Sequence, residues 1–220
     1  MAGIQDFEEY YDDFNGAVAA FPTTADPATP WLVDDTSAAG ATVFTKGTSV
    51  ATLTLAATNE VENVALHFGD ALDFDIDLLI RIEMRVRLNA ALTSGTELVF
   101  GLGSARNDTT DSVAAHAFFK MVGANSTTLV YCESDDGVTD VDDISSGQSL
   151  GSVFTKFLID FSGGKGDVKF YIGPVRVATA TKFDMSNYAL GLQPIVQIQK
   201  AANTNVNSVI VDYVKVISRR

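Results

Sequence analysis

The sequence predicts an all-β fold, an antiparallel β-sandwich. Three observations carry that prediction. Short apolar or alternating runs recur from Ala41 to Ile217, separated by Gly, Pro, Asn and Asp. No long segment has helical spacing of its apolar residues. The stretch Asp167–Thr181, DVKFYIGPVRVATAT, alternates Val168, Phe170 and Ile172 with Asp167, Lys169 and Tyr171, breaks at Gly173-Pro174, and resumes at Val175 and Val177. Period-two spacing around a Gly-containing break is the grammar of a hairpin with one buried face.

With 220 residues, 46% of them hydrophobic, the chain can bury one sizeable core, and sandwiches of this length are commonly single domains. The expected organisation is an arm over residues 1–40 and a β-domain over 41–220. In the arm, Phe7, Tyr10 and Phe14 stand among carboxylates and fit two readings. They cover one end of the core, or they contact a partner. Residues 17–40 are Ala/Thr/Pro-rich and read as irregular surface structure anchored by Trp31. Packing is preferred for Trp31 over a sugar-stacking platform.

From Ala41 the expected strands are Ala41–Thr45, Val50–Ala57 and Asn63–Phe68, followed by a turn over Asp70–Asp77. Leu79–Asn89 has the clearest alternation: Ile80, Ile82, Met84, Val86 and Leu88 on one face, Arg81, Glu83, Arg85 and Arg87 on the other. The charged face suits pairing with acidic neighbours across a sheet. Glu97–Gly103, Ala115–Val122, Thr127–Glu133 and Phe154–Phe161 follow, with Ser134–Gly151 read as a long polar loop. After the hairpin come Leu192–Lys200 and Ser208–Ile217. In that last strand simple alternation sets Val209, Val211 and Tyr213 opposite Ile210, Asp212, Val214 and Val216.

The formal net charge of −13 opposes binding to nucleic acid and to anionic membranes. No run approaches the roughly 18 apolar residues of a membrane helix. The first residues are acidic and lack the basic and apolar regions of a secretory signal. The lone Cys132 excludes an intrachain disulfide and reads as a buried, inert thiol.

Candidate chemistry is sparse. Asp73-Phe74-Asp75-Ile76-Asp77 puts carboxylates at alternate positions, and a polar turn is preferred there over calcium ligation, and either over catalysis. The loops Arg106–Asp111 and Asp135–Asp143 concentrate Asp and Asn, which could ligate a hard cation; the second lacks the spacing and closing Glu of a calcium loop, and solvated loops are the preferred reading. His67 and His116 lie far apart in strand-like runs and read as structural. Gly163-Gly164-Lys165-Gly166 has no phosphate-loop spacing and reads as a turn. No catalytic residue, metal or cofactor is expected.

The hairpin DVKFYIGPVRVATAT, the following LQPIVQIQKAANTNVNSVIVDYVKV and the strand IRIEMRVRL resemble the concanavalin A-like lectin/glucanase superfamily, a jelly-roll of two curved sheets. The resemblance spans Ala41 to Ile217, with Gly173-Pro174 in place of the usual Asp-Gly turn. Some glucanases of that superfamily carry Glu-x-Asp-x-Glu. Asp73 and Asp77 are each a methylene shorter than those outer glutamates. More narrowly, GTELVFGLGSARND, FLIDFSGGKGDVKFYI and FDMSNYALGLQPIVQIQKAANTN are similar to structural proteins of tailed bacteriophages.

That second resemblance implies a non-enzymatic capsid decoration, or cement, protein on the capsid exterior of the virion. Its implied partners are the major capsid protein and neighbouring copies of itself, with Phe7, Tyr10 and Phe14 as the partner-contact residues. The alternative it leaves is a carbohydrate-binding, lectin-like module of a fibre or surface protein. There Tyr131, Tyr171 or Tyr188 would stack on glycans.

Overall fold

The computed structural model describes residues 6–15, 21–38, 43–47 and 49–220, with backbone only for 43–47. The first residues of the strand expected from Ala41, and Gly16 of the expected Asn15-Gly16 turn, lie outside the described residues. The strands are β1 (Phe7–Asp12), β2 (Leu32–Asp35), β3 (Val43–Gly47), β4 (Val50–Thr54), β5 (Glu60–His67), β6 (Phe74–Asp75), β7 (Leu79–Leu88) and β8 (Thr96–Gly103). They continue with β9 (His116–Val122), β10 (Leu129–Asp135), β11 (Asp140–Ser149), β12 (Thr155–Asp160), β13 (Lys169–Ile172), β14 (Val175–Val177), β15 (Gly191–Asn203) and β16 (Ser208–Arg219). A single 3-10 turn at Thr110–Ser112 is the only helical element among the described residues.

Two antiparallel sheets face each other. Sheet I runs β14-β13-β12-β7-β16-β4-β3, with β1 also on β16; sheet II runs β11-β10-β9-β8-β15-β5-β2, with β6 also on β15. Each sheet has one long strand served by two successive partners. β16 pairs with β4 over Ser208–Val211 and with β1 over Val214–Arg219. β15 pairs with β6 at Gly191–Leu192 and with β5 from Ile195 onward.

The N-terminal segment is therefore part of the sandwich. β1 sits in sheet I, with Phe7 opposite Arg219, and β2 sits in sheet II, with Leu32 opposite His67. The expected irregular arm gains this regularity because β16 and β5 leave free edges that those residues complete. The linker between β1 and β2 carries Trp31 into the core. Its ring meets Phe68 edge-on at 4.6 Å, and Phe14 and Tyr10 pack around it at 5.7 and 6.4 Å. The indole Nε1 donates to Asp12 at 2.9 Å, which satisfies the one polar atom of the buried ring. Trp31 is thus a packing anchor.

A second aromatic cluster fills the middle of the sandwich. Phe100 of β8 and Phe119 of β9 meet Phe157 of β12 across the gap at 4.8 and 4.9 Å. Phe170 of β13 packs on Phe119 at 5.2 Å and on Phe183 at 4.6 Å. Cys132 is buried in the same core, and burial pushes its thiol far above the ordinary value.

Two strands depart from simple alternation for a definable reason. In β16 the register against β7 shifts between Val211 and Tyr213. This bulge turns both Asp212 and Tyr213 outward, so Val209, Val211, Val214 and Val216 all face the core. In β7 a second shift, opposite Ile217–Ser218, buries Leu79 and moves Ile80 to the outer side. The segment expected as a polar loop, Ser134–Gly151, instead turns tightly and returns as β11. That edge strand is interrupted at Asp143 (φ 48°) and Gly147 (φ 68°). Its Asp and Ser content erases the apolar alternation that marks inner strands.

Candidate ligand-binding face

The outer face of sheet II holds the densest set of polar side chains. The core-facing positions are Leu98, Phe100 and Leu102 on β8, Phe119 and Met121 on β9, Val130 and Cys132 on β10, and Val196 and Ile198 on β15. The alternate positions therefore point away from the core: Glu97, His116, Phe118, Lys120, Tyr131, Glu133, Gln193, Gln197, Gln199, Asn63 and His67. Polar groups in the middle of a sheet face need partners, and residues 104–115 supply most of them.

This connection between β8 and β9 folds back across the sheet. Val113 seals a small apolar cluster with Val99, Phe118 and Ile195. Gln193 Nε2 donates to Ser104 O at 2.9 Å and to Asp70 at 2.8 Å. Gln197 Nε2 donates to Asn107 O at 3.0 Å, and Asn63 Nδ2 donates to Asp108 O. Arg106, its side chain almost wholly covered, pairs with Asp34 at 3.0 Å and Asp108 at 2.7 Å. Gly103 permits the close packing beneath, since a Cβ there would meet Ile195 at 2.8 Å and Phe118 at 2.9 Å.

Beside the connection lies a buried charge cluster. Glu133 is fully buried, with Lys120 Nζ at 3.0 Å and His116 Nε2 at 3.4 Å. Lys120 also reaches Asp111 at 2.5 Å and Asp143 at 3.5 Å. Burial opposes protonation of His116, but the hydrogen bond and charge of Glu133 more than offset it and raise the pKa. For Lys120, burial is likewise outweighed by Glu133 and Asp111, so the ammonium is held charged. The His116 ring stacks on Phe118 at 4.6 Å. His67 behaves oppositely: burial lowers its pKa despite Asp70 at 3.7 Å.

What the connection leaves open is a cleft of about 570 Å³ along β5, β15 and the start of β8. Asn63, Glu97, Asp108, Thr109, Thr36 and Gln199 line it. Gln199 Nε2 donates to Glu97 at 2.7 Å, and Asn63 Nδ2 donates to Gln199 Oε1 at 3.2 Å. Asn63 is 3% exposed, and its Oδ1 has no donor among the described residues. At the cleft's inner end the Lys200 ammonium is fully buried. It donates to the carbonyls of Ala56, Thr58 (2.8 Å) and Asn203 (3.0 Å) and lies 3.4 Å from Glu62.

The residues singled out in the sequence lie mostly elsewhere. Phe14 is fully buried, Tyr10 is half-buried against Phe68 and Phe74, and of the three only Phe7 is exposed. Asp73, Asp75 and Asp77 lie around β6 at one end of the sandwich, where Asp75 accepts the Asp77 amide at 2.9 Å and Asp77 pairs with Lys165 at 2.9 Å. Asp136 secures the turn into β11. It accepts the Thr139 amide at 2.7 Å and the Asn187 amide at 2.9 Å; burial, the largest single effect, raises its pKa, and these hydrogen bonds together outweigh burial and lower it. Among the described residues, no group of three or more His, Cys, Asp or Glu is arranged to hold a metal. Of the tyrosines, Tyr131 is half-buried on the outer face of sheet II, Tyr171 lines a groove on sheet I, and Tyr188 donates to Gly191 O at 3.0 Å.

The cleft residues were not foreseen. The signal was available in Gln193, Gln197 and Gln199, which interrupt an otherwise apolar strand at even spacing. Glu133 gave no such signal, because its partners come from a neighbouring strand.

No protein-family model and no curated protein matches the chain. Solved structures do. A structure reported with endo-acting O-glycanases that members of the human gut microbiota express to initiate mucin breakdown superposes with a TM-score of 0.66 at 10% identity, covering 96% of this chain and 98% of the other. SCLam, a non-specific endo-β-1,3(4)-glucanase of family GH16, gives 0.63 at 12% identity over 100% and 94%. The carbohydrate recognition domain of Emp47p gives 0.61 at 12% identity over 95% and 96%. The fold is a concanavalin A-like jelly-roll. At these identities the likeness concerns the fold.

Proposed function

We propose that this protein is a non-catalytic carbohydrate-binding module and that the cleft on sheet II is its binding site. The observation that carries the reading is the polar lining of the cleft, which includes the carboxamide of Asn63. Gln199, Glu97 and the hydroxyls of Thr36 and Thr109 stand beside it. Carboxamides, hydroxyls and a carboxylate together offer both donors and acceptors, and sugar hydroxyls both donate and accept. The cleft volume is within the range of about 300–1,000 Å³ usual for small-ligand sites.

The arrangement of carboxylates supports binding over hydrolysis. Glycoside hydrolysis needs two carboxyl groups flanking the scissile bond. Glu133 is buried between Lys120 and His116, Glu97 is engaged by Gln199 and Asp108 by Arg106. Asp135, two residues from Glu133, caps the Gly137 amide at 2.7 Å. The capsid-decoration reading rests on the sequence resemblance alone.

The test is calorimetric titration with mixed-linkage β-gluco-oligosaccharides and with released mucin O-glycans, the products being followed by chromatography. Binding without cleavage, weakened about tenfold in Gln199→Ala by loss of one to two hydrogen bonds, is the expected result. Absence of binding, or binding indifferent to Gln199→Ala, overturns the site. Cleavage of either probe overturns the non-catalytic assignment.

A further inference from the structure

Sheet I presents the opposite electrostatic character on its outer face. In a chain of net charge −13, β7 places Arg81, Arg85 and Arg87 there, beside Lys156 of β12, Arg176 of β14 and Lys215 of β16. Some are already engaged. Arg85 pairs with Asp212 at 2.6 Å and, with Arg87, lies over the Phe154 ring at 5.0 Å. Lys215 pairs with Glu9 at 2.8 Å. Arg81 is different. It has no ion pair or hydrogen bond among the described residues, and its Nε is buried without an acceptor. Its cross-strand neighbour Asp160 instead accepts the Ser162 amide at 2.8 Å.

Arg81 borders a groove of about 310 Å³, whose walls include Lys156, Leu158, Asp160, Ser162 and Tyr171. The β7 bulge shapes it by bringing Ile80 to the outer side, while Gly173-Pro174 forms another part of the wall. Among the described residues Lys156 has only a loose partner, Glu83 at 3.5 Å, and Glu83 is also bound by the Tyr213 hydroxyl at 2.5 Å. One uncommitted guanidinium, one weakly held ammonium, an aromatic ring and two hydrogen-bonding oxygens thus converge on one groove.

We propose that this groove binds a carboxylated sugar, a uronate unit of an acidic polysaccharide. The planar guanidinium of Arg81 takes the carboxylate through parallel N–H···O bonds, which a point charge does not reproduce. Lys156 adds positive potential. The ring of Tyr171 packs against the apolar face of the sugar, and Ser162 and Asp160 meet its hydroxyls. An acidic peptide fits less well, because Asp160 and Glu83 oppose closely spaced carboxylates but accept hydroxyl donors. The groove lies on the sheet opposite the sheet II cleft and does not depend on that reading.

The experiment is titration of the full chain with oligogalacturonate, with the same oligomer methyl-esterified, and with poly-glutamate, in about 50 and 500 mM sodium chloride. Oligogalacturonate is expected to bind. Its affinity should fall about tenfold in Arg81→Gln and Tyr171→Ala, fall at the higher salt, and stay unchanged in Gln199→Ala. The esterified oligomer should not compete. Arg81→Lys keeps the charge and loses the fork; it should also weaken binding, which tests the site if Arg81→Gln does not fold. Absence of oligogalacturonate binding, or equal binding by wild type and both Arg81 variants, overturns the proposal. So does poly-glutamate binding as tightly, which would mark an acidic-peptide surface instead.

Discussion

Glu133 and Lys120 form an ion pair of 3.0 Å on the outer face of sheet II, with the carboxylate fully buried and the lysine side chain 4% exposed. Such a pair needs both members, since either alone is a desolvated charge. Lys120→Met should lower unfolding free energy by about 3–5 kcal/mol, and Lys120→Met with Glu133→Leu by clearly less. Urea denaturation of the three proteins checks this. A double variant destabilised as much as Lys120→Met or more would overturn the pairing.

The two histidines should shape stability against pH in opposite senses. The folded-state pKa of His116 is raised, so its stabilising contribution is complete below the ordinary value of 6.5 and is lost as pH rises through the folded value. That of His67 is lowered, so its contribution is present above 6.5 and is lost as pH falls through the folded value. Melting temperatures across pH 5–9 should therefore show an alkaline decline reduced in His116→Gln and an acid decline reduced in His67→Gln. Unchanged profiles in both variants would refute these assignments.

The Trp31–Asp12 contact is a separate lever. Asp12 accepts both the indole N–H and the Phe14 amide, at 2.9 and 2.7 Å. Asp12→Ala should cost about 1–3 kcal/mol by leaving buried donors unpaired. Trp31→Ala should cost about 3–5 kcal/mol through the cavity it opens. Denaturant midpoints should rank wild type above Asp12→Ala and that above Trp31→Ala, and the reverse order of the variants would refute the anchor role.

Gly103 makes a sharper packing test. A methyl group there would meet Ile195 and Phe118 below 3 Å, so Gly103→Ala should destabilise by about 1–3 kcal/mol. Gly147, which has no atom within 4 Å of a built Cβ but has a φ of 68°, should tolerate Ala at a smaller cost from backbone strain. Equal effects at the two positions would show that packing at Gly103 is not tight.

Much of the sandwich was legible because its inner strands bury one face. The alternation of Ile82, Met84, Val86 and Leu88 is a direct imprint of the core, and so is that of Val168, Phe170 and Ile172. Legibility failed where a residue is inserted. The bulge at Asp212–Tyr213 exchanges the two faces of β16 midway, and no local composition marks it. It failed again at β11, whose single partner strand demands no apolar pattern. The candidate site was partly readable in the spaced glutamines of β15. The connection over residues 104–115 was not, because its packing is fixed by distant partners such as Asp34, Asp70 and Gln193.

The pairing of β1 with β16 has a kinetic consequence. Phe7 lies opposite Arg219, so sheet I is complete only when the two extremes of the sequence meet. Contacts this remote are slow to form, because most of the chain's conformational freedom must be lost before they do. β16 also serves β4 and β7, and until it arrives β7 exposes an apolar edge. An unpaired strand edge of this kind invites aggregation, and the docking of β16 is what covers it.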